Sequence, residues 1–209
     1  MAWKDPTRPV EEGPVHPRAP RPKQRTPGPY RLLARERRDG LVIVYTGDGK
    51  GKTSAALGVL LRARGWDTKV AMLQFIKTCE VDRGEHRAAR RLGVDVTPLG
   101  SGFTWLSENI EEDRKLARAC WNRCVEALES GDYDVVIFDE LTYALAYGWL
   151  SHDEVFEAIR RRPKGTHVII TGRMATPELI AFADLVTEMR EVRHPYRERG
   201  LGAQPGIDL

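Results

Sequence analysis

Cysteine is scarce in this chain. Cys79, Cys120 and Cys124 are the only three among 209 residues; they form no C-x-x-C and no pair at metal-ligand spacing with the five scattered histidines. Cys120 and Cys124 fall one helical turn apart and read as core or half-buried thiols. No stretch is long and apolar enough for a membrane span, and no charged start followed by an apolar run marks a secretion signal, so a cytoplasmic protein with no membrane partner is expected. No Ser-His-Asp or Cys-His set, no flavin or iron-sulfur motif and no internal repeat is evident. A basic face is missing as well. The formal charge is +3, but residues 1 to 40 hold ten Lys/Arg against five Asp/Glu and eight of the thirteen prolines. The rest is slightly acidic, with 23 basic and 25 acidic residues, which argues against a nucleic-acid partner.

What the chain does have is V-Y-T-G-D-G-K-G-K-T at residues 44 to 53. It follows the apolar run Leu41 to Val44 and precedes a segment with apolar residues at helical spacing that stops near Gly65. A glycine-rich strand-to-helix turn of this kind is what a phosphate-binding loop requires. Glycines at 47, 49 and 51 allow unusual backbone angles and let successive N–H groups face one anion at a helix N-terminus. Lys52 brings positive charge to the phosphates, and the Thr53 hydroxyl can join a Mg²⁺ shell. The usual spacing, G-x-x-x-x-G-K-[ST], would place a glycine at Thr46; Gly47 opens the loop instead, making it one residue short. A nucleoside triphosphate is expected, and its use need not be ordinary hydrolysis, because the shortened loop leaves room for a different placement of the phosphates.

With 209 residues, one well-buried domain is expected. Residues 1–39 form a Pro/Arg-rich leader, flexible by composition over its first 29 or so, with Tyr30 to Arg38 as a short basic helix that either covers the phosphate site or lies on the surface. Residues 40–209 form the domain. Strands are expected at 69–75, 94–99, 134–138, 166–171 and 185–192, with helices at 84–92, 110–130 and 152–162 and a short one from Pro177; the tail from His194 is irregular. Continuous apolar strands separated by helices mean an α/β fold, a mainly parallel sheet covered by helices on both faces.

In such sheets, ligands sit beyond the carboxyl ends of the strands. Four places there stand out. Asp139 and Glu140 follow D-V-V-I-F, where P-loop proteins put the acid that holds Mg²⁺ directly or through water. Gly172 and Arg173 follow V-I-I-T, and Arg173 meets either phosphate or a surface acid. Gln74 and Lys77 end the second strand. In G-S-G-F-T-W at 100–105, Phe103 and Trp105 either pack beneath their loop or face a ligand with a large apolar surface.

Taken together, these motifs resemble the P-loop type of ATP:cob(I)alamin adenosyltransferases, the corrinoid adenosyltransferases. The match rests on T-G-D-G-K-G-K-T-S-A-A-L-G, Q-F-I-K at 74–77, G-F-T-W at 102–105, D-E-L-T-Y-A-L-A-Y at 139–147, V-I-I-T-G-R at 168–173, A-D-L-V-T-E-M at 183–189 and H-P-Y…G-x-x-A-Q-P-G-I-D at 194–208. The resemblance implies a RecA-like P-loop domain, usually a homodimer, that transfers the 5′-deoxyadenosyl group of ATP to the Co(I) of a corrinoid and releases triphosphate. The short loop would grip ATP in the sense opposite to ordinary P-loop enzymes. Gly47, Asp48, Gly49, Lys50, Gly51, Lys52 and Thr53 would hold the triphosphate, Thr53 with Glu140 would bind Mg²⁺, Phe103 and Trp105 would sit under the corrin, and Arg173 would contact a ligand. Lys52, Phe103 and Trp105 are then the residues expected to carry the reaction, with an electron supplied from outside by a donor such as a reduced flavoprotein. Asp48 stands where the family commonly has Asn. The other reading is a nucleotide-dependent switch or ATPase with Glu140 polarising water.

Overall fold

The alternation of apolar residues along each central strand serves two different cores, and this is what stacks the molecule in three layers. The computed structural model describes residues 39–77, 83–100 and 110–208; residues 1–38 of the leader, Cys79, Phe103 and Trp105 lie outside them. The strands are β1 (Val42–Thr46), β2 (Val70–Gln74), β3 (Asp95–Pro98), β4 (Val135–Asp139), β5 (His167–Thr171) and β6 (Leu185–Glu188). The helices are α1 (Lys52–Arg64), α2 (Gly84–Leu92), α3 (Ile110–Glu129), α4 (Leu141–Ala146), α5 (His152–Arg161), α6 (Pro177–Phe182) and α7 (Pro195–Arg199). All strand pairs are parallel, in the order β3-β2-β4-β5-β1-β6.

Val70, Met72, Val135, Ile137 and Ile169 point to one face, where they meet Ala56 and Leu60 of α1 and Ala89 of α2. Their neighbours Ala71, Leu73, Val136, Phe138, Val168 and Ile170 point to the other, against α3, α5 and α6. Right-handed crossovers dictate this split: the chain moves outward from β1 through β2 to β3 over one face, then returns through β4 and β5 to β6 over the other. One side of α3 is buried, through Ala117, Cys120, Trp121, Cys124 and Leu128. Trp121 meets Phe138 edge-on at 5.7 Å, a geometry worth about 0.5–1.5 kcal/mol beyond its area. Among the described residues no helix is long and apolar enough to cross a membrane.

Three local expectations change. A helix, α4, starts immediately after Glu140, where only a motif was evident. The tail from His194 is not wholly irregular, because Pro195 opens α7 and His194 Nδ1 accepts the Tyr196 N–H at 3.2 Å. The last strand stops at Glu188 rather than Val192. Its partner β1 ends at Thr46, whose carbonyl takes the Met189 N–H at 2.8 Å, and beyond that point the Met189 carbonyl pairs with the glycine loop instead of a strand.

Candidate functional site

The carboxyl ends of β1, β2, β4 and β5 bring four of the sequence motifs to one edge. β5 is inserted between β1, which carries the glycine loop, and β4, which ends in Asp139. Gly47 and Gly51 have φ of 97° and 109°, as a glycine loop feeding a helix requires. Gly49 is needed for a different reason. A Cβ there would lie 2.7 Å from backbone atoms of Met189 and Arg190. Its N–H does not face an anion, as expected of a loop glycine, but donates to Met189 O at 2.7 Å. The segment after β6 thus forms the floor of the loop.

Lys52 begins α1 and is buried; its ammonium donates to Gly47 O at 2.9 Å and Gly49 O at 2.7 Å. Burial lowers its pKa from the ordinary lysine value, with Glu140 pulling the other way and Arg173 adding to the lowering. Thr53 Oγ1 donates to Asp139 Oδ1 at 2.9 Å. Asp48 is exposed, and Lys50 reaches Asp208 Oδ1 at 2.7 Å. Arg173 is half-buried and acts electrostatically on both Lys52 and Glu140.

Asp139 is fully buried and engaged on both oxygens. Oδ1 accepts from Thr53 and from Thr171 at 2.6 Å; Oδ2 accepts from Gln74 at 3.0 Å and lies 3.3 Å from the Lys77 ammonium. Four donors match the lone-pair capacity of a carboxylate. Glu140 is the opposite case. Its backbone is left-handed (φ 65°), its N–H donates to Thr171 Oγ1 at 3.0 Å, and its Oε2 is buried with no hydrogen-bond partner among the described residues. It borders a largely apolar niche of Phe75, Ile76, Leu116, Tyr143 and Trp149, which the buried Asp113 also lines. Burial, and then the adjacent Asp139 charge, raise its pKa to about 7. Gly172 (φ 137°) lets β5 pass this close, since a Cβ there would lie 2.1 Å from Thr142 Oγ1 and 3.0 Å from Glu140 Oε2.

The orphaned, buried carboxylate oxygen of Glu140, next in the chain to an Asp139 that already takes the hydroxyl proton of Thr53, is a donor set that fits a hard divalent cation. No group of three or more His, Cys, Asp or Glu side chains is arranged for a metal among the described residues. Magnesium does not need one, because it is bound through one or two carboxylates with waters and substrate phosphates.

Gly47 to Thr53, Asp139, Glu140 and Arg173 are therefore brought to one edge. Several partners were missed from sequence. In sequence Thr171 is only the end of a strand, and Glu85 and His86 only part of the helix expected at 84–92. The Met189 carbonyl and Asp208 become loop partners only through folding of the chain after β6.

Fold and loop together define a P-loop nucleotide-binding α/β domain. Its sheet resembles that of the flagellar accessory protein FlaH from Methanocaldococcus jannaschii, with a TM-score of 0.52 at 13% identity over 73% of this chain and 72% of that one. The chain belongs to the family of ATP:corrinoid adenosyltransferases BtuR/CobO/CobP, whose model matches residues 38–209. Relatives named corrinoid adenosyltransferase include one from Escherichia coli, 41% identical over 81% of this chain and 85% of that protein. Another, from Salmonella typhimurium, named corrinoid adenosyltransferase CobA, is 41% identical over 85% of this chain and 90% of that protein.

Proposed function

We propose that this protein transfers the 5′-deoxyadenosyl group of ATP to the Co(I) of a corrinoid, with release of triphosphate, in adenosylcobalamin biosynthesis or salvage. The observation that carries the reading is the family match across residues 38–209, which spans the whole glycine loop and acid edge. Cobalt(I) attacks the ribose 5′-carbon as a nucleophile that carries no proton, so the site needs in-line placement and a stabilised leaving group rather than a general base. Lys52 and the remaining loop N–H groups direct fixed positive potential at the departing triphosphate, the kind of preorganised term that is usually largest. Thr53 Oγ1 and Glu140 would hold Mg²⁺, with Asp139 orienting Thr53. Bound there, the ion supplies further charge against the leaving group. Arg173 adds a cation near the same charges. An anaerobic assay with ATP, Mg²⁺ and chemically reduced cobalamin should give the cobalt–carbon product; ATP binding without that product would overturn the assignment.

Phe103 and Trp105 carry the part of the proposal that concerns making Co(I). An axial donor below Co(II) pushes electron density along the axis the incoming electron must occupy. Two side chains that cannot ligate cobalt would make reduction by an external donor easier. Replacing either with histidine is expected to slow adenosylation starting from Co(II) far more than adenosylation starting from preformed Co(I). An unchanged ratio of the two rates in both variants would defeat the axial-ligand argument.

Residues 1–39 are assigned no chemical step, so removal of residues 1–29 should leave the rate with preformed Co(I) intact. Loss of turnover in that truncation would show that the leader completes the site. A homodimer in the cytoplasm, fed by a reduced flavoprotein, completes the proposal.

A further inference from the structure

The turn that ends β2 carries a lysine with no place in the chemistry above. Lys77 is mostly shielded, with 18% of its side chain exposed, and its ammonium lies 2.9 Å from Glu85 Oε1 and 3.3 Å from Asp139 Oδ2. Burial would lower its pKa, but Asp139 and then Glu85 outweigh that and hold it above the ordinary lysine value. Lys77 is thus a fixed cation inside the acid edge.

Its neighbours fix the geometry further. Gln74 Nε2 donates to Asp139 Oδ2 at 3.0 Å, so the amide oxygen faces His86 Nε2 at 2.7 Å, and that nitrogen carries the proton. Glu85 and His86 are consecutive residues in the first turn of α2. One helical turn therefore supplies both the anion that clamps Lys77 and the donor that clamps Gln74. These two together cover Oδ2 of Asp139, while Thr53 and Thr171 cover Oδ1.

The consequence concerns which carboxylate a cation meets. Asp139 and Glu140 are adjacent, the first fully buried and the second half-buried with a buried Oε2, and both are negative when ionised. Without a cation on Oδ2, that oxygen would keep only the neutral Gln74 donor, and Asp139 would carry an uncompensated charge. It would then be free to leave Thr53 and compete for the metal. With Lys77 in place, Glu140 is the member of this pair that retains a buried oxygen without a hydrogen-bond partner among the described residues.

We infer that Lys77 is a positioning residue of the nucleotide site: its ammonium is the permanent counter-ion that keeps Asp139 fastened to Thr53 and out of the magnesium shell, leaving Glu140 as the carboxylate offered to the ion. This rests on the phosphate-loop reading above, and the test separates the two. Calorimetric titration with ATP, in Mg²⁺ and separately in EDTA, is made on wild type, Lys77→Met, Lys77→Arg, Glu85→Gln and Lys52→Ala. Loss of an outer partner of a metal site typically costs about 10–100-fold in metal affinity. Lys77→Met should therefore weaken binding in Mg²⁺ at least about tenfold and leave binding in EDTA nearly unchanged. Lys77→Arg should recover most of the loss, and Glu85→Gln, which keeps the cation but removes its clamp, should fall between. Wild-type affinity in Mg²⁺ for Lys77→Met, or a loss of the same size in EDTA, would overturn the inference. Should Lys77→Met fail to fold by thermal melting, Glu85→Gln decides alone, a magnesium-specific loss supporting the inference and no such loss overturning it. Lys52→Ala should weaken binding under both conditions. If it does while Lys77→Met behaves as wild type, only the role of Lys77 falls; if Lys52→Ala binds as wild type, the loop reading falls and the inference with it.

Discussion

Lys52→Ala is expected to lower turnover about 100-fold or more, the usual cost of removing one preorganised stabiliser of developing charge. Lys52 loses more than charge in this substitution. Its ammonium also ties the Gly47 and Gly49 carbonyls together, at 2.9 and 2.7 Å, so the alanine variant unbraces the loop that should present its N–H groups to the triphosphate. Thr53→Ala should behave similarly for a different reason, since it removes the hydroxyl that links the loop to Asp139 at 2.9 Å. Steady-state rates with preformed Co(I) measure both. Near-full activity in the two variants would remove the loop from the mechanism.

Glu140→Gln is expected to act in opposite directions on activity and stability. Turnover should fall, because the amide cannot supply the charge that a bound magnesium needs. Stability should rise on the alkaline side. The folded pKa of Glu140, about 7, lies above the ordinary value of 4.5, so the native state binds the extra proton. Its penalty is absent below pH 4.5, grows as pH rises from there, and is complete above pH 7. A gap of this size corresponds to on the order of 3 kcal/mol. In magnesium-free buffer the variant should therefore melt above wild type at pH 8, with the difference shrinking towards pH 4. A variant that melts below wild type at pH 8 would mean that Glu140 is not held under strain by its surroundings.

The residues that announce themselves in sequence are those whose role is local. The glycine loop is legible because its backbone angles at Gly47 and Gly51 demand glycine, and the central strands because burial on both faces gives continuous apolar runs such as Val135 to Phe138. Asp139 and Glu140 could be placed because the end of a strand fixes where its next residues stand. Which of the two would meet a cation could not be read, since that depends on Thr171, Gln74 and Lys77 arriving from other strands. The floor of the loop was hidden for the same reason. Gly49 is held by the backbone of Met189, and a backbone carbonyl leaves no mark on which residue stands at 189. Asp208 carries no local signal for its contact with Lys50, which exists only because the chain after β6 folds back over the loop.

The proposed transfer differs from every ordinary P-loop reaction in which bond of ATP is broken, so the phosphate product is the most direct test of the central claim. Anaerobic single-turnover reaction of the protein with ATP, Mg²⁺ and preformed Co(I) cobalamin, followed by anion-exchange analysis, should yield triphosphate in equal amount to the cobalt–carbon product and no diphosphate. Diphosphate or orthophosphate in place of triphosphate would mean cleavage within the phosphate chain, and would make this protein a nucleotide hydrolase built on the same loop.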